Sequence, residues 1–168
     1  MSLFPVIVYW ADADVFIQAK NGPYKFERVP QFWSFLAEQI RVGSIRCPKK
    51  VYDELTDGKD QLAQWCKTRR RDLCAQASRD VQRCFGNVAT HVHGNYSAPK
   101  AAEFLSGGDG WVIAHAMEMG VSGIVVTQES ERHHNAKVKV PTVCQAIGVR
   151  CINTYEMLEA LDFKITGA

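Results

Sequence analysis

Three short apolar runs in this chain meet carboxylates. Asp12 and Asp14 follow directly on Val6-Ile7-Val8-Tyr9-Trp10-Ala11. Asp109, after Gly107 and Gly108, heads the run Trp111-Val112-Ile113-Ala114, and Glu129 comes just after Ile124-Val125-Val126-Thr127. In an open parallel sheet, ligands sit outside the carboxyl ends of the strands, so acids placed there from separated segments can converge on one spot. Two like charges ~4 Å apart repel by roughly 4 kcal/mol at an effective dielectric of ~20. A cluster of several therefore requires protons or cations, and a divalent metal answers that need.

The elements that must position these acids follow from periodicity and punctuation. Residues 5–11 are short, continuous and β-branched, which predicts a buried strand. Residues 19–29 hold Gly22-Pro23 and mixed charges and read as a loop. Pro30 suits a first helical position, Phe32, Trp33, Leu36 and Ile40 recur at helical spacing, and Gly43 suits the stop. Pro48 opens a second helix carrying Val51, Glu54 and Leu55, broken near Gly58. Leu62, Trp65 and Cys66 suggest a further helical turn or two. Residues 72–89 read as helix and 91–99 as loop. The helix from Asp109 to Met119 stops at Gly120, and 121–127 is a second buried strand. Pro141 and Thr142 open a short helix ended by Gly148, and residues 149–152 form a last strand. Asn153 followed by Glu156 resembles a capping-box start for the final helix. Strands and helices alternating at the two ends predict an α/β fold with a parallel sheet and a helical insertion in the middle.

The length, 168 residues, fits a single domain spanning residues 1–168 and can bury a sizeable core. The formal net charge is +2, so no global field demands a nucleic-acid partner. The six cysteines form no Cys-x-x-Cys pair, which removes zinc-ribbon spacing and suggests reduced, mostly buried thiols in a cytoplasmic protein. The apolar N-terminal run is cut by Asp12, and neither a signal peptide nor a membrane span is expected. No Walker-type loop, Gly-x-Gly-x-x-Gly or Ser-His-Asp signature occurs.

The acids Asp12, Glu54, Asp109 and Glu129 form an ordered series: strand end, helix, helix start, strand end. That order, with Val138-Lys139-Val140-Pro141-Thr142-Val143-Cys144 and Gly148-Val149-Arg150-Cys151-Ile152-Asn153 near the end, resembles the PIN-domain nucleases. It is most similar to their small prokaryotic branch related to VapC toxins, over nearly the whole chain. The resemblance implies a three-layer α/β/α fold with a central, mostly parallel sheet. It also implies metal-dependent hydrolysis of RNA phosphodiester bonds with one or two Mg²⁺ or Mn²⁺ ions. Asp12 and Asp109 would contact metal directly and Glu54 would hold metal or orient water. Glu129 and Asp14 would support them, with Thr127 hydrogen-bonded to the cluster. A type II toxin with a protein antitoxin, acting as a homodimer in the cytoplasm, is the biological setting that the resemblance implies. The chain departs from the family in carrying Asp14 where a small hydroxyl residue is usual, and Glu129 where Asp is usual.

Ordinary roles stay open for each acid: Asp109 as a helix N-cap, Glu54 as a solvated helix residue, Glu129 as a loop acid, Asp14 as a turn residue. Lys67, Arg69, Arg70 and Arg71 form the densest basic run, with Arg69 and Arg70 candidates for phosphate contact or for a solvated helix end. Lys137 and Lys139 alternate with Val138 and Val140, facing either substrate or the solvent side of an edge strand. Trp10, Trp33, Trp65 and Trp111 read as core, and His133 and His134 as loop residues with a weak claim on substrate. Asp12-Ala13-Asp14 is also similar to the nucleophile motif of haloacid-dehalogenase-type phosphatases, although Phe16 and Trp111-Val112-Ile113 depart from that family. A catalytically degenerate domain that only binds RNA or protein is a third reading.

Overall fold

The structure, a computed structural model, describes residues 4–130 and 137–166. Five strands, β1 (Val8–Ala11), β2 (Ile45–Pro48), β3 (Cys74–Ala75), β4 (Gly123–Val126) and β5 (Cys151–Ile152), form one sheet in the order β3-β2-β1-β4-β5. Every pairing is parallel, where a mostly parallel sheet was expected. All residues of β1 and β4 are buried, as continuous apolar runs inside a covered parallel sheet should be.

The helices are α1 (Ala13–Asn21), α2 (Pro30–Arg41), α3 (Lys49–Thr56), α4 (Gln61–Lys67), α5 (Arg70–Leu73), α6 (Arg79–Asn95), α7 (Ala98–Ser106), α8 (Asp109–Glu118), α9 (Val140–Ile147) and α10 (Thr154–Ala160). Helix α8 packs on β1, β2 and β4, and α6, α7 and α9 pack around it. Chain connections move one way along the sheet from β1 to β3 and the other way from β4 to β5. Right-handed crossovers put the two sets of helices on opposite faces, which gives the three-layer α/β/α arrangement.

Several elements differ from the sequence expectation for identifiable reasons. Strand β1 begins at Val8, not residue 5, because pairing starts at Val8 opposite Gly123, leaving Val6 exposed. Helix α1 occupies residues expected to be loop up to Asn21, burying Val15, Phe16 and Ala19. Strand β2 carries Arg46 and ends in Pro48, a composition with no strand signature. It forms because Tyr9 and Trp10 pair with Ile45 and Arg46. The expected helix over 72–89 is interrupted by β3, paired to Cys47 and Pro48. The expected loop over 91–99 is helical up to Asn95, because Val88 and Val92, four residues apart and fully buried, carry α6 through it. The stops at Gly43 and Gly148 stand as read: both have positive φ, +84° and +76°. Asn153 accepts a hydrogen bond from the Glu156 N–H at 2.9 Å and caps α10.

The tryptophans divide. Trp10 and Trp33 are core, whereas Trp65 and Trp111 are half-buried, the latter stacked on Phe85 at 4.0 Å. Among the six thiols, Cys47, Cys66 and Cys144 are buried and the other three half-buried. Burial pushes the Cys66 thiol up to about 12, the state of an inert core residue. Among the described residues, no helix is long and apolar enough to cross a membrane.

Beneath α8, His115 is 4 % exposed and its ring stacks on Trp10 at 4.4 Å. Burial, reinforced by Arg46, lowers its pKa from 6.5 to about 4. The folded protein thus resists the proton that the unfolded chain accepts. The stability tied to neutral His115 is complete above pH 6.5 and is lost as pH falls toward 4, by up to about 3 kcal/mol. The raised carboxylates described below titrate over part of the same range with the opposite sign, so the comparison must be between proteins. Urea unfolding of the parent and His115→Gln at pH 7 and pH 4.5 should show the gap between them shifting by roughly 2 kcal/mol in favour of the variant at the lower pH. A gap that does not change with pH would refute the neutral histidine.

Candidate functional site

The sheet order places a switch point between β1 and β4, whose following connections depart to opposite faces. Ligands in such sheets bind outside the carboxyl ends at that point. Asp12 follows β1 directly and caps α1, its Oδ1 accepting from the Ala13 N–H at 2.7 Å. Thr127 follows β4 directly, and its hydroxyl lies 3.3 Å from Asp12 Oδ2 and 3.1 Å from Asp14 Oδ2. The Gln128 N–H donates to both oxygens of the Asp14 carboxylate at 3.1 Å. The register Ala11 opposite Val126 fixes these two strand ends side by side.

Glu129 is held rather than free. Its Oε2 accepts from the Val140 N–H at 2.9 Å, at the start of α9, and Lys139 Nζ lies 3.9 Å from Oε1. Glu54 comes from α3 and lies against the approach to α8. The Gly108 N–H bonds its carboxylate, and a Cβ on Gly108 would stand 2.5 Å from Val51 Cγ2 and 3.4 Å from a Glu54 oxygen. Only glycine lets the backbone come this close. Asp109 is the first residue of α8, with Gly108 at the N-cap position and no side-chain capping bond. The capping role open to Asp109 in the sequence is therefore not the one it plays.

The electrostatics tie these acids together. Burial raises Asp12 well above the usual carboxylate range, and Asp14, Asp109 and Glu129 add to the rise. Burial also raises Asp109, to about 7, with Glu129, Glu54 and Asp14 pushing the same way and Lys137 opposing. Asp14 is raised by burial against the pull of its hydrogen bonds from Gln128 and Thr127. Glu54 is raised by burial, against the Gly108 hydrogen bond and Lys50. Acids from four separate segments thus sense one another in a partly dry site.

Among the described residues, no group of three or more His, Cys, Asp or Glu side chains is set to hold a metal ion by itself. Mg²⁺ keeps several waters and is usually bound through one or two carboxylates. The all-oxygen donor set, with its mutually repelling carboxyl groups, fits a hydrated hard cation at Asp12 and Asp109, and does not fit a closed protein cage.

The basic candidates separate. Lys137 pairs with Glu103 and acts on Asp109, and Lys139 pairs with Glu129, so both stand beside the acids. Residues 137–139 form no strand, contrary to the edge-strand option. Arg69 instead lies over the Trp65 ring at 4.2 Å and Arg70 over Tyr52 at 5.8 Å. His133 and His134 lie outside the described residues. Sequence reasoning missed the part played by Gln128, which acts on Asp14 through its backbone N–H and so leaves no mark in residue type.

Curated proteins and solved structures give no match to the chain. A family model described as "Domain of unknown function (DUF4411)" matches residues 9–165, and the chain belongs to that family.

Proposed function

We propose that this chain is a metal-dependent ribonuclease, a hydrolase that cuts RNA phosphodiester bonds at the acids outside β1 and β4. The observation that supports this reading is the meeting of Asp12, Asp14, Asp109 and Glu129 at the sheet's switch point, where burial and mutual repulsion hold the Asp12 and Asp109 carboxyls well above their ordinary range. Mg²⁺ or Mn²⁺ bound there supplies Lewis acidity, a more acidic water and charge neutralisation at the phosphate.

The chain's own residues have distinct tasks. Asp12 and Asp109 hold the ion. Asp14, fixed by Gln128 and Thr127, keeps the Asp12 side rigid. Glu54, exposed at the rim of the site with its pKa raised, takes a proton from an approaching water. Glu129, tied to α9 and Lys139, adds negative potential without moving. Lys137 and Lys139 stand where the flanking phosphates of a strand pass. Asp14 has both carboxylate oxygens engaged, which suits it poorly to the acid–base role that a phosphatase with Asp12 as nucleophile requires.

The PIN-like order of the acids favours RNA as substrate. It also favours the setting of a cytoplasmic type II toxin, active as a homodimer and silenced by a protein antitoxin. The test is direct. End-labelled RNAs of varied sequence are incubated with the protein in Mn²⁺ or Mg²⁺ and in EDTA. Cuts that appear only with the divalent ion support the reading, and RNA that survives equally in both rejects it.

A further inference from the structure

A second cleft opens beside the acids and contains an unsatisfied polar group. It encloses about 300 Å³ between the end of α1 and the start of α10, with Gln18, Asn21, Tyr24, Gln128, Thr154 and Tyr155 on its walls. Thr154 is 1 % exposed, and its Oγ1 has no hydrogen-bond partner among the described residues. Buried hydroxyls are almost always partnered, so an orphan at a cleft wall points to a group from outside that completes it.

Gln128 joins this cleft to the acids. Its side-chain oxygen accepts from the Thr154 N–H at 3.3 Å, while its own backbone N–H holds Asp14 at 3.1 Å. Asp14, Gln18 and Asn21 fall at i, i+4 and i+7 on α1, one stripe of the helix. The cleft therefore begins about one helical turn, ~5 Å along the axis, from Asp14.

The chemistry of the walls selects the occupant. Among the described residues, none of the side chains lining the cleft is charged, so none of these neutralises a phosphate. Side-chain amides offer a donor and an acceptor side by side, the same mixture that base edges present. Tyr155 is 56 % exposed and offers an aromatic face for stacking. We infer that this cleft is a nucleobase subsite. It takes one unpaired base of a single-stranded RNA whose backbone crosses the acids; Thr154 Oγ1, closed to solvent in the empty cleft, turns about its χ1 bond to meet the base edge together with the Gln128 amide. The inference rests on the ribonuclease reading and adds a base preference at one position beside the cut.

The test is binding without cleavage. Fluorescence anisotropy in EDTA measures the affinity of the parent for hexamers of rA, rC, rG and rU. One hexamer should bind about tenfold more tightly than the weakest, the value of one or two base-edge hydrogen bonds. Thr154→Val keeps the side-chain shape and should cut that preference to about threefold or less, whereas Thr154→Ser should retain it. Gln128→Ala, which leaves the backbone N–H on Asp14, should reduce it as well and serves if the valine variant does not fold. Four equal affinities, no binding at all, or a preference that persists in both Thr154→Val and Gln128→Ala overturns the subsite. Selective binding with no cutting in Mn²⁺ would reject the ribonuclease reading alone, and cutting without base preference would reject the subsite alone.

Discussion

Asp109→Asn is expected to abolish cutting and, at neutral pH without divalent ions, to make the folded protein more stable. The carboxylate of Asp109 has its pKa raised from 3.8 to about 7. A folded-state pKa above the unfolded one means that the fold resists ionisation. The stability linked to the protonated form is complete below pH 3.8 and declines as pH rises through about 7. Three units correspond to roughly 4 kcal/mol, and partial exposure of the side chain reduces this to about 2 kcal/mol. Asparagine removes the charge while keeping the shape, so at pH 7.5 in EDTA the variant should melt about 5 °C above the parent. At pH 4 the difference should vanish, and Mg²⁺ should raise the melting temperature of the parent more than that of the variant. Cleavage should fall by roughly 10³-fold, as expected when a group that stabilises developing charge is lost. Asp12→Asn should behave similarly, because asparagine also accepts at an N-cap. Undiminished cleavage in either variant would remove these residues from the reaction, and an Asp109→Asn protein less stable than the parent at pH 7.5 would refute the electrostatic account.

The second large effect is on folding. Gly123 opens β4 directly over α8. A Cβ there would overlap the Ala116 carbonyl oxygen and stand 2.7 Å from its Cα and 2.9 Å from its carbonyl carbon. These are backbone atoms, so no rotamer change relieves the contact, and the strand must move off the helix. Gly123→Ala should cost about 3 kcal/mol or more, and Gly123→Val should leave little folded protein. Gly86, exposed in α6, supplies the contrast, because a Cβ added there would meet nothing within 4 Å. Gly86→Ala should stabilise by up to about 1 kcal/mol. Denaturant unfolding compares the pair, and a Gly123→Ala protein as stable as the parent would show that the β4–α8 contact yields.

Much of the site is legible because apolar strands that run into acids advertise their own carboxyl ends. Asp12, Asp109 and the Thr127–Glu129 segment could be placed on elements from residue type alone, and Thr127 beside the acids was readable from its position at the end of β4. What escapes is what depends on partners far along the chain. Strand β2 looks like neither strand nor helix until Tyr9 and Trp10 pair with it, and β3 has two residues, too few for any alternation. Helix α1 was hidden because its start coincides with the acids, and the chemistry of Asp12 and Asp14 obscured an N-cap. The burial that raises Asp109 comes from packing, which no local spacing encodes.

The pairing of Val8–Ala11 with Gly123–Val126 has a consequence for how the molecule comes into being. More than a hundred residues separate those two strands, and long-range parallel pairing forms slowly. During synthesis, Asp12 leaves the ribosome more than a hundred residues ahead of Thr127 and the Gln128 amide that hold its neighbourhood together. If the proposed ribonuclease reading holds, cutting would have to wait until Thr127 and Gln128 have been made and the two strands have paired.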